Sequence, residues 1–154
     1  MSEERSALVD TDRRQLRRLA RRFPPELVDK KGKFDFVEHA VITQVLLNEL
    51  GPFDFTTSQV IRSADGMVTG AICRLTCTVD GRVTTIEEVG DVENPQSKGT
   101  DGARLKDALS DALKRCAMRL GLGLHLWAQR RYFLDRLLKQ EEDIDPSEKA
   151  DASD

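Results

Sequence analysis

Two Asp-Gly dipeptides, Asp65-Gly66 and Asp80-Gly81, constrain this chain more than any other feature. They separate three runs rich in β-branched residues: SQVIRS (58–63), MVTGAICRLTCTV (67–79) and RVTTIEEV (82–89). A tight type I′ turn needs positive φ at both central positions, which Asp-Gly tolerates, and its twist matches that of paired strands. A three-stranded antiparallel meander is therefore expected. In the middle run Ala71, Cys73, Leu75, Cys77 and Val79 alternate with Ile72, Arg74, Thr76 and Thr78, and the first set is the expected core face. Three strands cannot close into a barrel, so this face needs a second layer.

The segment 103–120 supplies that layer. At about 100° per residue, Leu105, Leu109, Ala112, Cys116 and Leu120 share one stripe. Arg104, Asp107, Asp111, Lys114, Arg115 and Arg119 gather on the opposite side. A turn-rich connection (90–102) leads into this helix, and GLGLH (121–125) breaks it. Two helices precede the meander. One spans 10–23, with Asp10 or Asp12 as its cap, Leu16, Leu19, Ala20 and Phe23 at helical spacing, and Pro24-Pro25 as its stop. The other spans 37–50, with Val41, Val45, Leu46 and Leu50 on one side and Gly51-Pro52 beyond its end. Between them KKGKFDF (30–36) reads as a basic loop. Residues 127–140 read as a last helix, packed through Trp127, Phe133, Leu134, Leu137 and Leu138. The expected class is α+β: a β-β-β-α core with flanking helices, divided into a basic N-terminal helix (1–23), a folded domain (24–139) and an acidic, disordered tail (140–154).

Several function classes fall away. No apolar run is long enough to cross a bilayer. MSEERSALVD lacks the apolar stretch of a signal peptide, so a cytoplasmic location is expected. Three cysteines, Cys73, Cys77 and Cys116, fit a reducing compartment and free thiols. On one strand Cys73 and Cys77 would lie roughly 13 Å apart, beyond disulfide reach. With His39 and His125 they form neither CxxC nor HExxH, so no metal site is expected. GLGLH is neither GxxxxGK[ST] nor a GxGxxG following a strand, so no nucleotide cofactor is expected either. His39 has no Ser, Cys or Asp pattern as companion, which argues against an enzyme. The remaining enzyme reading sets His39 beside Glu87, Glu88, Asp91 and Glu93 and demands metal-dependent turnover.

The net charge of −3 hides a sorted distribution. Residues 13–33 carry nine basic and two acidic groups, 34–97 three and ten, 98–139 ten and four, and 140–154 one and seven. Between 114 and 131 there are five Lys or Arg and no acid. Lys98, Arg104, Lys114, Arg115 and Arg119, followed by Arg130 and Arg131, with Lys30, Lys31 and Lys33 in the early loop, could line one groove and replace phosphate counterions. Composition leaves two readings open: a nucleic-acid interface, or a solvated or oligomer-bridging face. A duplex-binding regulator would use 13–22 or 127–139 as a groove-reading helix. The 13–22 stretch has too thin an apolar side, Leu16, Leu19 and Ala20, to hold a membrane. Aromatics are 5% of the chain, and only Trp127 and Tyr132 lie near the basic run, so a base-stacking platform is not indicated.

Four segments together resemble a known family. DALSDALKRCAMRLGLGL (107–124) is similar to the DALKRA…G…LG helix of the Rad-fifty-two family of single-strand annealing proteins. FVEHAVITQVLLNELG (36–51) resembles that family's YIEGHRVINLANEMFG-like helix, TTIEEVGDVE (84–93) its EDVGYG segment, and SKGTDGARLKDA (97–108) its linker. Phage recombination proteins of the Sak type share this pattern. The resemblance implies a homo-oligomeric ring and a basic groove that holds single-stranded DNA by its backbone with bases outward. It also implies ATP-independent annealing in homologous recombination and repair. It places Lys114 and Arg115 at the family's DNA-binding Lys-Arg pair, Lys98 near a DNA-contacting lysine, and Lys30 or Lys31 near a basic residue of the first loop. Met118 stands at a position that is basic in the eukaryotic pattern, and Arg119 is one residue later. The acidic tail is then expected to moderate DNA binding or to contact a single-strand-binding or other replication protein.

Overall fold

A computed structural model describes residues 13–142. Asp10 and Asp12, and the tail from 143 onward, lie outside the described residues. In chain order the elements are α1 (Arg14–Leu19), β1 (Asp29–Lys31), β2 (Phe34–Phe36), α2 (His39–Leu50), β3 (Asp54–Arg62), β4 (Val68–Val79), β5 (Arg82–Asp91), α3 (Asp101–Arg119), α4 (Leu124–Ala128) and α5 (Leu134–Glu142). Short 3-10 turns occupy Pro25–Leu27, Pro95–Ser97 and Gln129–Arg131. No helix among the described residues is long and apolar enough to cross a membrane.

The meander forms in the order β3-β4-β5, all antiparallel. Its two turns differ. Asp80 and Gly81 both take positive φ, 49° and 79°, as a type I′ turn requires. At the first turn only Gly66 does, with φ 88°. Its N–H donates to Ser63 O across 2.9 Å, so Ala64 and Asp65 form the bend and Gly66 supplies the left-handed step after it.

Ala71, Cys73 and Leu75 are fully buried and Cys77 nearly so, which makes the expected face the core face. The second layer is α3, whose Ala108, Ala112, Cys116 and Ala117 are also fully buried. Leu105 and Leu109, on the predicted stripe, pack against this core while staying partly exposed. Helix and sheet approach very closely where β5 crosses α3. A Cβ at Gly90 would sit 1.9 Å from Ala108 O and 2.6 Å from Ala112 N, so only glycine fits there. The other sheet face carries Arg74, Thr76, Thr78, Thr85 and Glu87, with Val83 and Val89 exposed among them. The fold is α+β, a three-stranded antiparallel sheet on a helix.

The flanking segments depart from expectation in four places. Among the described residues the first helix covers Arg14–Leu19 and ends before the expected stop after Phe23, and Asp80 caps its first turn from the β4–β5 turn. The Asp80 carboxylate accepts from Gln15 N (2.9 Å) and Leu16 N (3.2 Å). The segment 30–36 is a β-hairpin, not a loop, turning at Gly32 (φ 63°). On α2 the fully inward positions are Ile42 and Leu46, with Val41, Val45 and Leu50 packed at the margin of the core. Finally, 127–140 is no continuous helix: α4 ends at Ala128, Gln129 takes φ 52°, and Tyr132 is extended before α5 begins. Because of that break, Trp127, Phe133 and Leu137 point outward, at 47%, 58% and 49% exposure, and only Leu138 and Tyr132 are buried.

Candidate nucleic-acid interface

The charged side of α3 is set by its first turn. Thr100 caps the helix by accepting from Ala103 N (3.1 Å), and Asp101 lies next to the positive helix end. The helix therefore starts two residues earlier than its apolar stripe indicates. Hydrogen bonds from Arg62, then Arg104, hold the Asp101 carboxyl below its ordinary range. From this start, Lys106, Ser110 and Lys114 follow at i, i+4 and i+8 along one strip, and Asp107, Asp111 and Arg115 along the next.

These strips form one wall of a groove of about 740 Å³. Lys98 enters from the connection before α3, Asp91 and Glu93 from the end of β5, and Glu38 and His39 from the start of α2. The groove thus gathers four cations, Lys98, Lys106, Lys114 and Arg115, from two parts of the chain. Their charge is poised by acids. Lys98 Nζ lies 3.0 Å from Asp107, and Arg115 Nε lies 3.1 Å from Asp111. Lys31, on the hairpin, reaches Glu93 at the groove rim at 2.7 Å. The Lys31–Glu93 pair is well exposed and so is held by little net energy, about 0–1 kcal/mol, while the Lys98–Asp107 and Arg115–Asp111 pairs are half-buried in the groove wall. Lys114 instead projects its ammonium over the Phe36 ring, 5.6 Å from the centroid, and Arg115 stacks on Trp127 at 5.0 Å.

The other residues singled out from the sequence lie elsewhere. Arg104 has a side chain only 12% exposed and gives its donors to Pro95 O (2.7 Å), Lys98 O (2.6 Å) and Asp101 (3.0 Å). It braces the connection that presents Lys98. Arg119 points to β5 and pairs with Glu88 at 2.7 Å. Lys30 lies on the exposed hairpin, opposite Asp35. Arg130 and Arg131 are exposed in the turn after α4 and, among the described residues, have no ion-pair partner within 4 Å, but they do not line the groove. Sequence reasoning passed over Lys106 and Ser110, although their four-residue spacing from Lys114 carried the signal.

The side chains named in the other readings are spread over separate surfaces. Glu87 pairs with Arg74 on the far sheet face and Glu88 with Arg119, so only Asp91 and Glu93 of that acidic cluster reach His39's groove. Among the described residues no three His, Cys, Asp or Glu side chains are grouped to hold a metal ion. Cys73, Cys77 and Cys116 are free and buried, and burial pushes the Cys116 thiol up to about 11. As for a groove-reading helix, α1 is short with Leu19 buried, and 127–139 is interrupted.

A comparison with curated proteins gave no significant match. The sequence profile described as Rad52/22 family double-strand break repair protein matches residues 18–143, which takes in every described element from the end of α1 to α5. With that match over most of its length, the chain belongs to the Rad52/22 family of double-strand break repair proteins.

Proposed function

We propose that this protein binds single-stranded DNA along the α3 groove and anneals complementary strands without ATP, as a homo-oligomer acting in recombination and repair. The family supplies the repair context. The observation that carries the reading is the convergence of Lys98, Lys106, Lys114 and Arg115 on one open groove. Such a groove takes a sugar-phosphate backbone through counterion replacement and needs no base sequence. Lys98, Lys114 and Arg115 contact phosphates, Arg104 positions Lys98, and no side chain acts catalytically. Among the described residues no strand pairs with the outer edges of β3 and β5, so the sheet can take further copies of the chain, which supports a ring or a helical assembly. A cytoplasmic, phage-type recombination protein fits this reading, and the acidic tail would engage a replication partner.

The test is a strand-annealing assay with full-length protein, complementary oligonucleotides and no nucleotide triphosphate, read beside electron microscopy of the same sample. Annealing several-fold faster than the protein-free rate, with preference for single strands over duplex of any sequence, is expected. Binding confined to one duplex sequence would replace this reading with that of a regulator.

A further inference from the structure

A second cleft, of about 410 Å³, adjoins the groove, and Lys114 and Asp111 line both. Its character is different. Phe23, Phe34, Phe36 and Trp127 form its aromatic walls, with Leu126 and Val37 between them. These rings arrive from separate places: Phe23 from the connection after α1, Phe34 and Phe36 from β2, and Trp127 from α4. Phe34 is 72% exposed and Trp127 47%. Large aromatic faces held open to water, beside cations that suit phosphate, form a surface with a missing partner. Asp35, Asp111 and Gln129 place hydrogen-bonding groups on the rim.

The partner that suits both halves is a nucleotide of the bound strand. A nucleobase has apolar π faces for the rings and polar edges for the rim, and its phosphate stays with Lys114 and Arg115. Arg115 already holds its guanidinium over the Trp127 ring, 5.0 Å from the centroid, so one residue joins the phosphate track to the aromatic wall. We propose that this cleft takes an unpaired base of the single strand, stacked on Trp127 and Phe34. One base per subunit is then withdrawn from pairing while its neighbours stay free. The proposal rests on the reading of the α3 groove as a single-strand backbone site. It departs from the expectation that every base faces outward.

The chain has a single tryptophan, Trp127, so its fluorescence reports on the cleft alone. Full-length protein is titrated with an oligothymidylate and with an abasic deoxyribose-phosphate oligomer of equal length. Both should bind with similar salt dependence, and only the oligothymidylate should quench Trp127. Trp127→Ala and, separately, Phe34→Ala should each weaken oligothymidylate binding about tenfold and leave abasic binding within about twofold. Phe34 lies on an exposed hairpin, so its variant keeps the test valid if Trp127→Ala unfolds. Equal quenching by the two oligomers, or equal weakening of both by the variants, overturns the base site and leaves the backbone groove standing. Failure of both oligomers to bind overturns the groove and the base site together. Emission that shifts with protein concentration and ignores bases assigns the cleft to a second copy of the chain and also overturns the proposal.

Discussion

The two sides of α3 obey different rules. The inner side is built from small residues, and Ala108, Ala112, Cys116 and Ala117 are fully buried against β4 and β5. It tolerates almost no change in volume, because the helix backbone nearly touches Gly90. The outer side carries Lys106, Asp107, Asp111, Lys114 and Arg115 along an open groove, where two of the cations are paired with acids of the same helix or its approach. One helix therefore holds the fold with one side and offers charge with the other. Stability and binding should separate cleanly when the sides are altered one at a time.

The largest effect is expected from Gly90→Ala. The added methyl would meet backbone atoms that no side-chain rotation can move, so β5 and α3 must part. Overpacking of this kind costs about 3 kcal/mol, a fall of roughly 10 °C in Tm for a chain of this size. Thermal unfolding with Tm within about 2 °C of the parent would break the comparison from its inner side. A smaller effect of opposite kind is expected from Asp111→Asn on the outer side. Asp111 accepts from Arg115 and from Asp91 N (3.0 Å), and asparagine keeps an acceptor for the amide while removing the negative charge. Binding of single-stranded DNA should tighten up to about fivefold at low salt, the gain fading as salt rises, with Tm nearly unchanged. Weaker binding would mean that the carboxylate itself serves the strand.

The central layers were legible from the residues because their signals are local and periodic. The two Asp-Gly dipeptides marked where the chain reverses, though only Asp80-Gly81 takes the expected turn, and the alternation from Ala71 to Cys77 and the helical stripe ending at Leu120 each select one structure within a short window. The family resemblance rested partly on that helix and on the end of the third strand, where Gly90 in TTIEEVGDVE now has a packing reason. The β1–β2 hairpin was not legible. Its strands are three residues long and mostly exposed, so Lys30 and Lys31 read as loop. Nor could the capping of α1 by Asp80 be seen, since it joins residues far apart in the chain. The same is true of the aromatic cleft. Counting aromatics near the basic run found Trp127 and Tyr132, whereas Tyr132 is buried and Trp127's companions come from Phe23, Phe34 and Phe36. The groove cations were mostly found, but their pairing with Asp107 and Asp111 depends on side-chain reach that spacing alone does not fix.

The account's central claim is that the outer side of α3 grips phosphate. Its most direct test is the salt dependence of single-strand affinity for the parent and for the Lys114→Ala/Arg115→Ala double variant, both shown to be folded. Each phosphate neutralised on a single strand contributes about 0.7 to the slope of log K against log salt. The double variant should therefore show a slope shallower by about 1.4 and weaker binding to every sequence alike. A folded double variant with the parent's slope and affinity would contradict the claim.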